Sequence, residues 1–137
     1  MKKILFLSLL ILSFSCKKKV ADAFVGDWKA YTVMGQKINE FKKQEARDLY
    51  GNYTLNITRN GVNYMVVENG GPVGLNSDMD TESLKLMTHH PCLLFDQTNT
   101  LIGGSPTGKD VLSFTYSSEN DEIVALLWGQ TVVFKRK

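Results

Sequence analysis

The sequence predicts an all-β domain, a small up-and-down antiparallel β-barrel with one short helix, on three observations. Residues 53–68 alternate apolar and polar side chains with a period of two around Asn60-Gly61. The last 27 residues carry three further short segments of strand character, 111–117, 122–128 and 130–136, parted by a polar turn and Gly129. Turns punctuate the remainder so often that about nine strands fit. Closing them into a ring removes the free edges that would otherwise aggregate. A tightly folded sandwich is the alternative arrangement.

The first 19 residues precede that domain. Lys2 and Lys3 form a positive start, residues 4–14 are apolar or serine, and Ser13-Phe14-Ser15 leads into Cys16. At ~1.5 Å per residue the run covers only about half of a ~30 Å hydrocarbon core, so it reads as a secretory signal and not as a spanning helix. Its end resembles the bacterial lipobox, in which a small residue precedes a cysteine that receives a diacylglycerol thioether and, after cleavage, an N-acyl chain. Ser13 stands where Leu is usual and Phe14 where a smaller residue is usual. The resemblance implies a signal peptide over 1–15, a lipidated Cys16 with a tether over 16–23, and a barrel domain over 24–137. It also implies a cell-envelope protein whose membrane contact is the lipid on Cys16. Lys17 and Lys18 follow the cysteine in place of acidic residues, which points to the periplasmic leaflet of the outer membrane.

Charge and cysteine content agree with such a domain. Five of the 16 basic residues lie within the first 19 positions, leaving 11 against 14 acidic ones, a balance of −3. A mildly acidic body lacks the clustered positive charge that nucleic acid requires. With Cys16 acylated, Cys92 has no intrachain partner and is expected in the core as a small hydrophobe.

In chain order, residues 24–33 read as a first strand. Asn39 is a candidate helix N-cap for residues 40–50, with Ile38, Phe41, Glu45 and Leu49 at helical spacing and Gly51 as the stop. In the hairpin, Tyr53, Leu55 and Ile57 share a face with the returning Val62, Tyr64 and Val66, and Asn60-Gly61 suits a two-residue type I′ turn. Residues 69–82 form a glycine-rich loop, followed by short strands at 84–88, 92–96 and 100–103. Leu112, Phe114 and Tyr116 share a face of the next strand. Tyr53, Leu55, Ile57, Tyr64, Val66, Leu112, Phe114 and Tyr116 are therefore the candidate interior lining.

Gly26-Asp27-Trp28 resembles the Gly-x-Trp of lipocalins, in which the tryptophan plugs one barrel end beneath a basic residue of the last strand. Arg136 alternates with Val132 and Phe134 and would be that residue here. Small lipocalin-like lipoproteins of Gram-negative bacteria share the plan of lipobox, Gly-x-Trp, short strands and a basic last strand. The resemblance implies a non-enzymatic barrel that binds a small apolar ligand. The large inward residues favour a filled barrel instead, serving as a protein-interaction module of an envelope or conjugation complex.

Other motifs carry little chemistry. Residues 103–109 match the spacing of a phosphate-binding loop, but Asp110 and a strand follow where a Ser or Thr and a helix are needed. His89-His90-Pro91-Cys92 holds metal-ligand types, yet only His90 and Cys92 can share a strand face, and the cluster reads as a turn before a core strand. Asp78, Asp80 and Glu82 lack the glycine and terminal glutamate of a calcium loop. No catalytic set, metal site or cofactor is expected.

Overall fold

The computed structural model describes residues 20–71, 88–104 and 111–137. After a single helical turn, Val20–Ala23, the strands are β1 (Gly26–Val33), β2 (Gln36–Lys37), β3 (Thr54–Asn60), β4 (Asn63–Asn69), β5 (Thr88–Phe95), β6 (Thr100–Gly104), β7 (Val111–Ser117), β8 (Glu122–Leu127) and β9 (Gln130–Arg136). Each of β3 to β8 pairs antiparallel with the next, and β1 pairs with both β3 and β9. The result is a closed eight-strand barrel, with β2 as a two-residue extension against Thr32 and Val33.

Alternation along each strand decides what fills the ring. Leu55 and Ile57 on β3, Tyr64 and Val66 on β4, and Leu112 and Phe114 on β7 are all buried. They meet Ile123, Ala125 and Leu127 from β8 and Val132 and Phe134 from β9 in one continuous core. Eight strands enclose a space that side chains of this size can fill. At the seam, Ala30 pairs with Phe134 and Thr32 with Val133, so Tyr31 is bulged out. The extra residue bends β1, whose first half pairs with β3 while its far end takes up β2.

One end of the barrel is shut by aromatic rings and a guanidinium. Trp28 and Phe24 are fully buried, and the indole N–H of Trp28 donates to the Phe24 carbonyl at 2.9 Å. Arg136 pairs with Trp28 in the β1–β9 ladder and lays its guanidinium carbon 4.2 Å from the indole centroid. The same guanidinium donates to the carbonyls of Ala23 (2.8 Å) and Val25 (3.1 Å) and to the Asp121 carboxylate. Tyr116, only half-buried, stacks obliquely on Phe24 and edge-on to Trp28, and so lies at this end rather than in mid-barrel.

Local structure departs from the sequence reading in four places. Phe24 precedes β1, which starts at Gly26, and serves as the plug. Asn60 pairs with Asn63, so the hairpin turn is Gly61-Val62. Only Gly61 has positive φ there, as a type II′ turn requires, and Val62 points into solvent. The expected helix over 40–50 is interrupted: a 3₁₀ turn, Ile38–Glu40, is followed by extended residues and then a helix at Gln44–Gly51. The break lets Ile38 and Phe41 both face the core, and the Arg47 guanidinium satisfies the Phe41 carbonyl it leaves free. Asn39 therefore caps nothing, and Lys43 precedes the helix without a side-chain cap.

Finally, 88–95 is one strand, so the expected turn at His89–Pro91 does not occur; residues 89 to 91 lie within β5. The pairing of β5 with β6 starts only at Cys92, leaving Pro91 where the strand has a partner on one side alone. Residues 84–87 of the expected strand 84–88, most of the 69–82 loop with Asp78, Asp80 and Glu82, the 105–110 turn, and Cys16 lie outside the described residues. Among the described residues no helix is long and apolar enough to cross a membrane.

Replacing Trp28 by alanine is expected to cost about 3–5 kcal/mol, the usual range for emptying a buried aromatic site. Arg136→Lys keeps a charge but not the planar fork, and should also lower the urea midpoint. Equilibrium unfolding of both variants checks this.

Candidate functional site

At the opposite end, where the helix lies and β4 and β6 finish, the barrel interior turns polar. The inward parity of β4 runs Tyr64, Val66 and then Glu68, which is fully buried. On β5 the same parity brings in His90, also fully buried, beside Cys92. Val66 pairs with His90 and Glu68 with Thr88, so His90 is the diagonal neighbour of Glu68 across the ladder. The two side chains meet at 2.8 Å, His90 Nε2 to Glu68 Oε2.

Two further donors converge on the other carboxylate oxygen. The Tyr53 hydroxyl donates to Glu68 Oε1 at 2.5 Å and the Trp128 indole N–H at 3.1 Å. Trp128 holds φ at 53° in the β8–β9 turn, ahead of Gly129 at 75°. A type I′ turn of this kind favours Asn, Asp or Gly, and positive φ is unusual for a bulky side chain. The contacts to Glu68 and, at 6.2 Å between ring centroids, to His90 offset that strain.

The surroundings lock Tyr53 in place. Its ring meets Phe134 edge-on with centroids 5.1 Å apart. Gly71, at φ 75°, crosses the ring so closely that a Cβ there would fall 2.6 Å from a ring carbon. Tyr50, the last buried residue of the helix, stacks near Tyr53 and donates its hydroxyl to Gln130 at 2.8 Å. The helix is thereby tied to the β8–β9 turn.

Electrostatics follow from this packing. The Tyr53 hydroxyl is held well above the ordinary tyrosine range, first by burial and then by the neighbouring Glu68 carboxylate, which favours the protonated donor. Burial pushes the Cys92 thiol up to about 12, so it is a neutral core group and not a nucleophile. Among the described residues His90 Nδ1, which is buried, has no hydrogen-bond partner. Among the described residues no three His, Cys, Asp or Glu side chains gather as a metal site.

Of the lining residues named from sequence, Tyr53, Leu55, Ile57, Tyr64, Val66, Leu112 and Phe114 are buried, whereas Tyr116 closes the Trp28 end. Tyr53 links that set to the polar cluster. Sequence reasoning missed Glu68 and Trp128, and weighed His90 only as a metal ligand. The period-two pattern of the hairpin, extended by one step past Val66, reaches Glu68.

Hollows also lie outside the core. Met65, Pro91, Leu93, Phe95, Ile102 and Val111 line an open groove of about 850 Å³ on the outer wall of β4 to β7. A more polar hollow of about 790 Å³ sits beside the helix, with Glu45 and Asp48 facing the neighbourhood of Lys29 and Lys137.

Fold and site together define a small closed β-barrel, lipocalin-like in plan, whose interior is filled by aromatic and aliphatic side chains around a buried carboxylate. No protein-family model matches the chain, and no curated protein matches its sequence.

Tyr53→Phe removes one donor from the buried carboxylate and should cost about 1–3 kcal/mol in urea unfolding. The pH dependence has a defined sign. An unfolded tyrosine ionises near 10.0 while folded Tyr53 keeps its proton, so above that pH the unfolded chain binds fewer protons and stability falls as pH rises. Cys92 acts in the same direction between 9.0 and about 12. Stability measured from pH 8 upward should therefore decline, less steeply in Tyr53→Phe.

Proposed function

We propose that this chain is a non-enzymatic envelope lipoprotein, held to a membrane by lipid on Cys16, whose barrel is a protein-interaction module. The observation that carries the reading is the filled interior. The side chains that would line a calyx pack against one another, and the Glu68 cluster occupies the end opposite Trp28, where a ligand would enter. A carrier of small apolar molecules needs that space empty and mostly apolar. Surface features supply the alternative. The chain enters the barrel at the Trp28 end, so an anchor on Cys16 leaves the Glu68 end pointing away from the bilayer. The helix and its mixed-charge hollow lie on the flank near that end.

The envelope assignment itself rests on the lipobox resemblance and the short apolar run before it. The Gly-x-Trp resemblance receives support from the Arg136 guanidinium stacked on Trp28.

The test is direct. The mature chain, titrated with a fluorescent fatty acid, is expected to give no saturable signal and to carry no stoichiometric extracted lipid. A photo-crosslinker at exposed Lys42, beside the helix, should capture a discrete envelope protein in cells. Saturable fatty-acid binding displaced by natural lipid would restore the carrier reading and remove this one.

A further inference from the structure

We infer that the rim formed by Val62, Leu93 and Phe95 is a membrane-contact surface, so that the barrel rests with its Trp28 end against the bilayer. The inference rests on the lipid-anchor reading above and adds an orientation to it.

The rim exposes three large apolar side chains beside the polar Asn60, Asn63 and Asp96. Val62 at the β3–β4 turn is 76% exposed, Leu93 54% and Phe95, the last residue of β5, 51%. Asn63 pairs with Leu93, so the three side chains are near neighbours across the β4–β5 ladder. The outer groove continues the same apolar wall through Pro91 and Ile102.

The start of the described chain is fixed to this same end. Asp22 forms an ion pair with Arg59 at 2.8 Å, three residues before Val62, and the Arg59 guanidinium also donates to the Gly61 carbonyl. Arg136 holds the Ala23 and Val25 carbonyls from the other side. Only residues 17–19 separate Cys16 from Val20. Four residues of extended chain span at most about 14 Å, so an acylated Cys16 keeps this end close to the headgroups. Lys17, Lys18 and Lys19 lie within that short span, where basic residues are drawn to anionic lipid. A tether this short, fixed beside an apolar rim, selects a lipid surface as the occupant.

The experiment uses the full chain, processed and acylated by its host, in vesicles of phosphatidylethanolamine and phosphatidylglycerol with or without brominated acyl chains. Tryptophan is placed at the rim by Val62→Trp and, separately, Phe95→Trp. Met34→Trp, an exposed position at the opposite end, is the control. Emission of both rim variants is expected to fall in brominated vesicles, with the control and the parent chain unchanged. Equal emission in both vesicle types, with mass spectrometry confirming acylated Cys16, overturns the membrane contact and leaves the anchor standing. A second copy or a protein partner covering the rim would give that result with blue-shifted emission. An unacylated Cys16 removes the anchor reading, and the orientation falls with it.

Discussion

Pairing of β1 with β9 is the constraint on which the other contacts depend. Without it the meander has two free edges, and its inward face has nothing to enclose. The ladder runs from Trp28 opposite Arg136 to Val33 opposite Val132, and the bulge at Tyr31 supplies the curvature that brings the two strands together. Arg136 makes closure specific. Its planar fork satisfies two carbonyls of the incoming chain and a carboxylate while its face covers the indole, so one side chain ties together the first strand, the last strand and the β7–β8 turn.

The other end is held by a different kind of force. A buried carboxylate is costly unless donors surround it. Those around Glu68 come from Tyr53, His90 and Trp128, which lie far apart in sequence and meet only when the ring is complete. Such a cluster favours one register of the barrel, because a one-residue slip of β4 would turn Glu68 outward and leave three donors unpaired. It also fills the mouth, which is why a ring of lipocalin-like plan need not be a vessel.

Much of this architecture was legible in the sequence, and the reason is the period of two. The segments 111–117 and 130–136 coincide with strands, and the alternation in 53–68 placed Tyr53, Leu55, Ile57, Tyr64 and Val66 inside. The pattern failed where a residue's type opposed its place. Glu68 and His90 sit on inward positions that composition alone assigns to solvent, and Pro91 suggested a turn within a continuous strand. Trp128 occupies a turn position that propensity gives to asparagine or glycine. Glu68, His90 and Trp128 are compensated by partners distant in sequence, and a single sequence does not display those partners. The interrupted helix is a milder case: helical spacing of Ile38, Phe41 and Leu49 was genuine, but two separate turns satisfy it as well as one rod does.

The grip of Arg136 on Ala23 and Val25 has a bearing on biogenesis. A chain made from its N-terminus exposes β1 long before β9 exists, and the contact from Arg136 to Ala23, just ahead of β1, spans 113 positions in sequence. Ring closure is thus a late, long-range event, of the sort that folds slowly. Until the final strand arrives, Trp28 and the edge of β1 stand uncovered, a state in which a chaperone would find its natural client.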